Sequence, residues 1–180
     1  MRRLLIQGSA RSAGNTHLML DTLQQQGWDA DRIDLLDYTI HPYTYDHRHR
    51  DDDFLPLLRD IVEHYDLLLF ATPVYWYTMS GLLKDFFDRI SDALQIEKPT
   101  GRRLRGMYLA MLSCGTEPEP VEGFSVPFRE SADYLGMHYA GEVHTWAEND
   151  GILLPVVREK LLTFAAGLVA LEANTGKNRT

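Results

Sequence analysis

A single cysteine, Cys114, stands among 180 residues, so no internal disulfide is possible and a reducing compartment is expected. Long apolar runs are missing too. No stretch approaches the roughly 20 apolar residues of a membrane span. Met1-Arg2-Arg3 leads through a short apolar run into Gly8-Ser9-Ala10-Arg11, too brief for a secretory-signal core. The default expectation is a cytoplasmic protein without a membrane partner. Positive charge is scarce, with 18 Lys+Arg against 26 Asp+Glu and a formal net charge of −8. That balance works against neutralising a phosphate backbone, so nucleic acid is not an expected partner. A small anion held by local amides and one or two side chains is still permitted.

The length suits one sizeable core, and the reading is one domain over 1–173 with a flexible tail over 174–180. Arg3 to Gln7 and Asp66 to Ala71 are short, polar-bounded apolar runs, as strands buried on both faces of a parallel sheet require. Between them, Asn15 to Gln26 places Leu18, Met19, Thr22 and Leu23 on one helical face, with Asn15 or Thr16 as cap and Gly27 as stop. Trp28 to Leu35 reads as a second strand. A loop from Leu36 to Asp51 precedes a helix marked by Phe54, Leu57, Leu58, Ile61, Val62 and Tyr65. The alternation continues with helix Met79 to Leu94, strand Gly106 to Ser113, helix Val121 to Leu135, strand His138 to Trp146 and helix Val156 to Ala173. Five strands alternating with five helices predict a doubly wound α/β fold, a five-stranded parallel sheet with helices on both faces. Ligands of such sheets lie outside the strand carboxyl ends, so the loops that matter begin at Gly8, Leu36, Thr72, Ser113 and Ala147.

Gly8 to Thr16 joins the first strand to the first helix, where unpaired amides and a positive dipole end favour an anion. Small residues let the backbone wrap closely; Ser9, Ser12 and Thr16 offer hydroxyls, Asn15 an amide and Arg11 a charge. The segment falls short of a nucleotide P-loop, since Ser9 replaces the first glycine and Asn15 the lysine. Thr72-Pro73 also stands where a magnesium-binding aspartate belongs. A G-x-G-x-x-G fingerprint is absent, which leaves a terminal monophosphate as the best candidate. Thr72 to Gly81 then carries Tyr75, Trp76 and Tyr77 in succession beside Pro73. Consecutive aromatics in a loop suit a flat ring with backbone groups at its polar edge. At least one of the three is equally suited to packing against a partner subunit.

Gly8-Ser9-Ala10-Arg11 with Gly14-Asn15-Thr16, then Thr72-Pro73-Val74-Tyr75-Trp76, then Ser80 to Arg89, occur in the order and at the strand ends where the NAD(P)H-dependent FMN reductase family of the flavodoxin-like superfamily has its motifs. The sequence resembles that family from about Leu4 to Gly115. The resemblance implies that Ser9, Arg11, Gly14, Asn15 and Thr16 hold the FMN phosphate. It implies that Pro73, Val74, Tyr75 and Trp76 line the isoalloxazine, and that Ser113, Cys114 and Gly115 bring backbone to the flavin. NAD(P)H would be the co-substrate, a quinone, flavin or similar small molecule the acceptor, and no side chain beyond the flavin need be catalytic. Cys114 is read as a buried thiol, since it has no CxxC partner.

His41, His47 and His49 lack a second ligand cluster, so no metal is expected. Arg48 and Arg50 are placed at the active end of the sheet, where they would attract the donor's phosphates, whereas Arg102, Arg103 and Arg105 belong to its amino end. Leu82, Leu83, Phe86, Phe87 and Ile90 cover more than one helical stripe, from which a homodimer or higher homo-oligomer is expected. Lys84, Asp85, Asp88 and Arg89 would pair along that helix or across the interface. Two rivals use the same features: a one-electron carrier of flavodoxin type, and a phosphoester-processing enzyme that would lack its nucleophile and metal ligands.

Overall fold

A computed structural model describes residues 1–148 and 151–177. The elements run β1 (Arg3–Gln7), α1 (Asn15–Gln25), β2 (Asp31–Asp34), α2 (Phe54–His64), β3 (Leu67–Pro73), α3 (Gly81–Gln95), α4 (Lys98–Arg102), β4 (Tyr108–Gly115), α5 (Val126–Leu135), β5 (His138–Trp146) and α6 (Pro155–Lys177). Among the described residues the strands form one parallel sheet in the order β2-β1-β3-β4-β5. After β1 the chain turns outward to β2, then crosses back to β3 on the other flank of β1. Winding therefore reverses between β1 and β3, which opens a crevice at their carboxyl ends.

Alternate residues of the buried strands feed two cores. Leu5, Leu69, Leu112 and Val143 face α1 and α6; Leu4, Ile6, Phe70 and Met111 face α2, α3 and α5. The expected fold class is confirmed, with local corrections. Trp28, expected to open the second strand, instead packs its buried ring into the α1 side of the core, with the Arg3 guanidinium 5.4 Å from it. The pairing stretch of β2 is thereby shortened to Asp31–Asp34. α4 had no periodic apolar signal; it packs tightly on α3, where a Cβ on Gly101 would lie 2.9 Å from the Ala93 carbonyl oxygen. α5 starts at Val126 because residues 116–125, with Pro118 and Pro120, form a loop. α6 runs past Ala173 to Lys177, and residues 178–180, the end of the expected tail, lie outside the described residues.

Candidate functional site

Three chain segments meet at the β1/β3 switch point. Gly8 N–H donates to the Ala71 carbonyl (2.8 Å), and a Cβ on Gly8 would lie 2.7 Å from Leu83 Cβ, so only glycine lets the loop pass α3 this closely. Ser80 Oγ donates to the Gly8 carbonyl (2.6 Å) and caps α3 by accepting from Leu83 N–H (3.1 Å). Its own N–H donates to Thr72 Oγ1 (3.0 Å). Thr72 and Ser80 are buried. Their role as the knot of the crevice escaped sequence reading, because nothing local marks a tie between residues 72 positions apart.

The loop after β1 is shaped from below by the buried Gln7, whose Nε2 donates to the Ser12 carbonyl (2.9 Å) and to Asp34 Oδ2 (2.9 Å). That inward carbonyl leaves amides facing out. Among the described residues no acceptor meets the N–H of Ser12, Ala13, Asn15 or Thr16, and Gly14 caps α1 without a side chain. α1 thus opens with bare amides at its positive dipole end. Ser9 and Thr16 are buried there, Arg11 is exposed, and Asn15 Oδ1 accepts from Gly151 N–H (3.2 Å), tying the loop to the segment after β5.

Across the crevice, Val74 N–H donates to the Cys114 carbonyl (2.9 Å), and Tyr75 and Thr78 exchange backbone hydrogen bonds of 2.9 and 3.1 Å. The two residues between them have positive φ, 48° at Trp76 and 64° at Tyr77, as a type I′ turn demands. Such turns ordinarily take Asn-Gly; two bulky aromatics there store strain of about 1–3 kcal/mol each. The turn holds Trp76 92% and Tyr77 75% exposed, an apolar pair kept in water by the backbone. Beside them a cavity of about 260 Å³ is lined by Val74, Trp76, Tyr77, Gly115, Glu117 and His144.

His144 was not singled out from the sequence. It lies opposite Ser113 in the β4/β5 register, its Nδ1 2.9 Å from Ser113 Oγ and its Nε2 3.0 Å from the Glu117 carbonyl. The available signal was a histidine near the carboxyl end of the last strand. The Ser113 hydroxyl is thereby committed to His144. Cys114 points to the opposite face, and burial pushes its thiol up from the ordinary range, as a structural thiol requires.

The loop before α2 corrects two expectations. Arg89, expected to pair along α3 or across a subunit interface, does pair along the helix with Asp92 but is also locked from another segment of its own chain: its side chain is 1% exposed, and all five of its N–H groups are used. They reach Asp92 (2.5 Å), Asp52 (2.5 and 3.0 Å) and the carbonyls of His41 and His49 (both 2.9 Å). Burial is the largest influence on Asp52 and raises its pKa, but the hydrogen bonds from Arg89 and from the His41 and Phe54 amides, with the Arg89 charge, together outweigh it and leave the carboxyl below its ordinary range. His47 Nδ1 meets Asp92 at 2.6 Å, and Gln95 donates to the Tyr43 hydroxyl at 3.2 Å. The loop is therefore fastened to the middle and far end of α3; Asp92 lies about 16 Å along the helix from Gly81. Arg48, paired with Asp46, and Arg50, near Asp51, sit on this segment and not at the crevice. Part of the apolar surplus of α3 is likewise covered within the chain, Phe86 packing on Phe54 and Phe87 on Phe70 and Phe128, while Leu82 and Phe87 stay half-buried. Among the described residues no group of three His, Cys, Asp or Glu is arranged as metal ligands, and no helix is long and apolar enough to cross a membrane.

Strand order and crevice together define a flavodoxin-like protein. Residues 1–150 match the NADPH-dependent FMN reductase family. A Bacillus subtilis protein named as an NAD(P)H-dependent FMN-containing oxidoreductase is 33% identical over 79% of this chain and 83% of its own. Among solved structures, the Trp repressor binding protein of Bacillus subtilis superposes with a TM-score of 0.71 at 25% identity, covering 91% of this chain and 96% of that one. An FMN-dependent NADH-azoreductase of Bacillus anthracis, in complex with FMN, shares the fold with a TM-score of 0.68 at 12% identity over 95% and 99% of the two chains. The chain belongs to the NADPH-dependent FMN reductase family, a family of enzymes with FMN as cofactor and a reduced nicotinamide nucleotide as co-substrate.

Proposed function

We propose that this enzyme passes electrons from NAD(P)H to a quinone, a flavin or a similar small acceptor, with FMN lying across the β1/β3 crevice. The FMN phosphate is assigned to Ser9, Arg11, Gly14, Asn15 and Thr16, and the ring to the walls formed by Pro73, Val74, Tyr75 and Trp76 on one side and Ser113 and Gly115 on the other. One juxtaposition carries this reading: the bare amides at the start of α1 and two aromatic side chains held exposed by a strained turn belong to the loops at the carboxyl ends of the neighbouring strands β1 and β3. A phosphate fits the first and a flat ring the second.

When bound, FMN supplies the redox chemistry, taking a hydride from the nicotinamide and delivering electrons to the acceptor. The chain's own residues bind and orient. Amides of α1 neutralise phosphate charge, and Trp76 and Tyr77 shield the ring plane and offer a surface on which donor and acceptor stack in turn. Shared use of one surface predicts ping-pong kinetics, read as parallel double-reciprocal lines. We also assign a homodimer, built on the groove of about 380 Å³ between α3 and α5, where Tyr134 is 81% exposed beside Phe87 and Leu94. The expected compartment is the cytoplasm.

The test is the absorption spectrum of the purified protein during anaerobic titration with NAD(P)H. Flavin bands that bleach with one equivalent of donor, and return on adding a quinone, support the reading. Bands that bleach only with a protein reductase would make the chain a one-electron carrier instead.

A further inference from the structure

The Gln7 side chain is wholly buried, and the two ends of its amide meet opposite chemistries. Nε2 donates to the Ser12 carbonyl and to Asp34 Oδ2, both at 2.9 Å, while Oε1 accepts from Arg32 Nη2. Two acceptors at one end and a guanidinium, which only donates, at the other allow a single orientation of the amide. Arg32 and Asp34 stand opposite Leu5 and Gln7 in the β1/β2 register, so their side chains share the face of the sheet that α1 covers. Arg32 is held there in turn. Its Nη1 donates to Asp21 Oδ1 (2.6 Å) and its Nη2 to His17 Nδ1, both residues of α1, and its side chain is 16% exposed. His17 Nδ1 therefore accepts, and the ring hydrogen sits on Nε2, 3.2 Å from Asp21 Oδ2. A chain of hydrogen bonds thus runs from the first two turns of α1 through β2 to the end of β1 and into the loop. Its last link decides which way the loop's amides face. In a planar trans peptide the N–H points opposite the carbonyl, so a Ser12 carbonyl drawn inward turns the Ala13 N–H outward.

We propose that Gln7 and Arg32 are positioning residues for the cofactor's phosphate: Arg32 fixes which way the Gln7 amide faces, and Gln7 holds the Ser12 carbonyl inward so that the amides ahead of α1 stay turned toward an anion. This rests on the reading that the FMN phosphate sits at those amides. Only the phosphate meets them, so the device acts on FMN and not on riboflavin. Without Arg32 the Gln7 Oε1 is left buried with no donor, a cost the amide relieves by turning away from Ser12.

The experiment measures dissociation constants for FMN and riboflavin by fluorescence titration of the full chain as wild type, Gln7→Leu, Arg32→Met and the double variant. Leu and Met keep the apolar bulk without the hydrogen bonds. Gln7→Leu should raise the FMN constant about threefold to tenfold, the range of one lost hydrogen bond, with riboflavin within twofold of wild type. Arg32→Met should move FMN the same way by about threefold, and the double variant should bind FMN no more weakly than Gln7→Leu, because Arg32 acts through Gln7. An FMN-to-riboflavin ratio within twofold of wild type in either single variant overturns the proposal. So does a loss on Arg32→Met that is as large without Gln7 as with it, since the guanidinium would then act by its own charge. Should Gln7→Leu not fold, Arg32→Met must still move the ratio, and its failure to do so is equally fatal. Thr16→Ala, which removes a hydroxyl assigned to the phosphate, separates two failures. An unchanged ratio there as well puts the phosphate elsewhere and overturns the site reading along with the proposal, whereas a changed ratio there with none in Gln7→Leu overturns the proposal alone.

Discussion

Two loops flank α3 and are built on opposite principles. The loop before α2 is polar in sequence, yet it is locked by a buried guanidinium with every N–H satisfied, two carboxylates and two carbonyls. The turn after β3 is aromatic, yet it stands in water, with positive φ at Trp76 and Tyr77. Composition alone would assign burial the other way round. Polar groups are buried where partners satisfy them, and apolar groups are left wet where a binding partner is to cover them. The buried charged lock thus sits toward the far end of α3, and the exposed aromatics stand just before its N-terminus.

The sharpest way to break this comparison is Arg89→Leu. It leaves Asp52 and Asp92 buried without their counter-charge and should cost about 3–5 kcal/mol in urea denaturation. Flavin occupancy of the folded fraction should stay unchanged, since the network lies well away from the crevice. A loss below 1 kcal/mol would show the guanidinium to be replaceable.

The same network predicts acid sensitivity. The Asp52 pKa is lowered in the folded state, so its stabilisation is complete above the unfolded carboxylate value of about 4 and is lost as pH falls through the lower folded value. Wild-type stability should fall through that window, and Arg89→Leu should flatten the fall. Equal slopes would dissociate Asp52 from the effect.

On the crevice side, Thr16→Ala should weaken FMN about tenfold while leaving riboflavin nearly unaffected, because only FMN carries the phosphate; fluorescence titration measures both. Trp76→Gly should act in the opposite sense on stability. Removing a bulky side chain from a positive-φ position is expected to raise stability by about 0.5–1 kcal/mol while raising KM for donor and acceptor together, a trade of function against strain. The smallest effect is expected from Arg48→Ala with Arg50→Ala: no change in the donor's KM beyond twofold, since neither arginine faces the crevice and both pairs are exposed.

Much was legible beforehand because its signals are local. The strand β1 ends at Gln7 and β5 spans His138–Trp146 as the apolar pattern predicts, and α1 stops before Gly27, whose φ of +87° suits glycine. The two loops that carry the family's motifs fall at the carboxyl ends of β1 and β3, as the alternation requires. Arg89 shows where legibility ended. The expectation reached only a pair along its helix or across an interface, since a periodic pattern reports which face a residue occupies only relative to its helical neighbours, and Asp52 is 37 positions away.

His144 makes the point more finely. An irregularity between Leu109 and Ala110 shifts the β4/β5 register by one residue at Gly141, whose φ is +119°. Without it Ser113 would stand opposite Val143, and the imidazole would face the other side of the sheet. By itself the sequence determined the alternation of strands and helices, the parallel sheet and the two loops at its active edge, because propensity, periodicity and turn chemistry act within a few residues. The tertiary structure alone decided which polar groups meet: the lock on Arg89, the knot at Ser80 and the post at His144. Each depends on a register or a packing distance between segments far apart in the chain, and no local pattern encodes those.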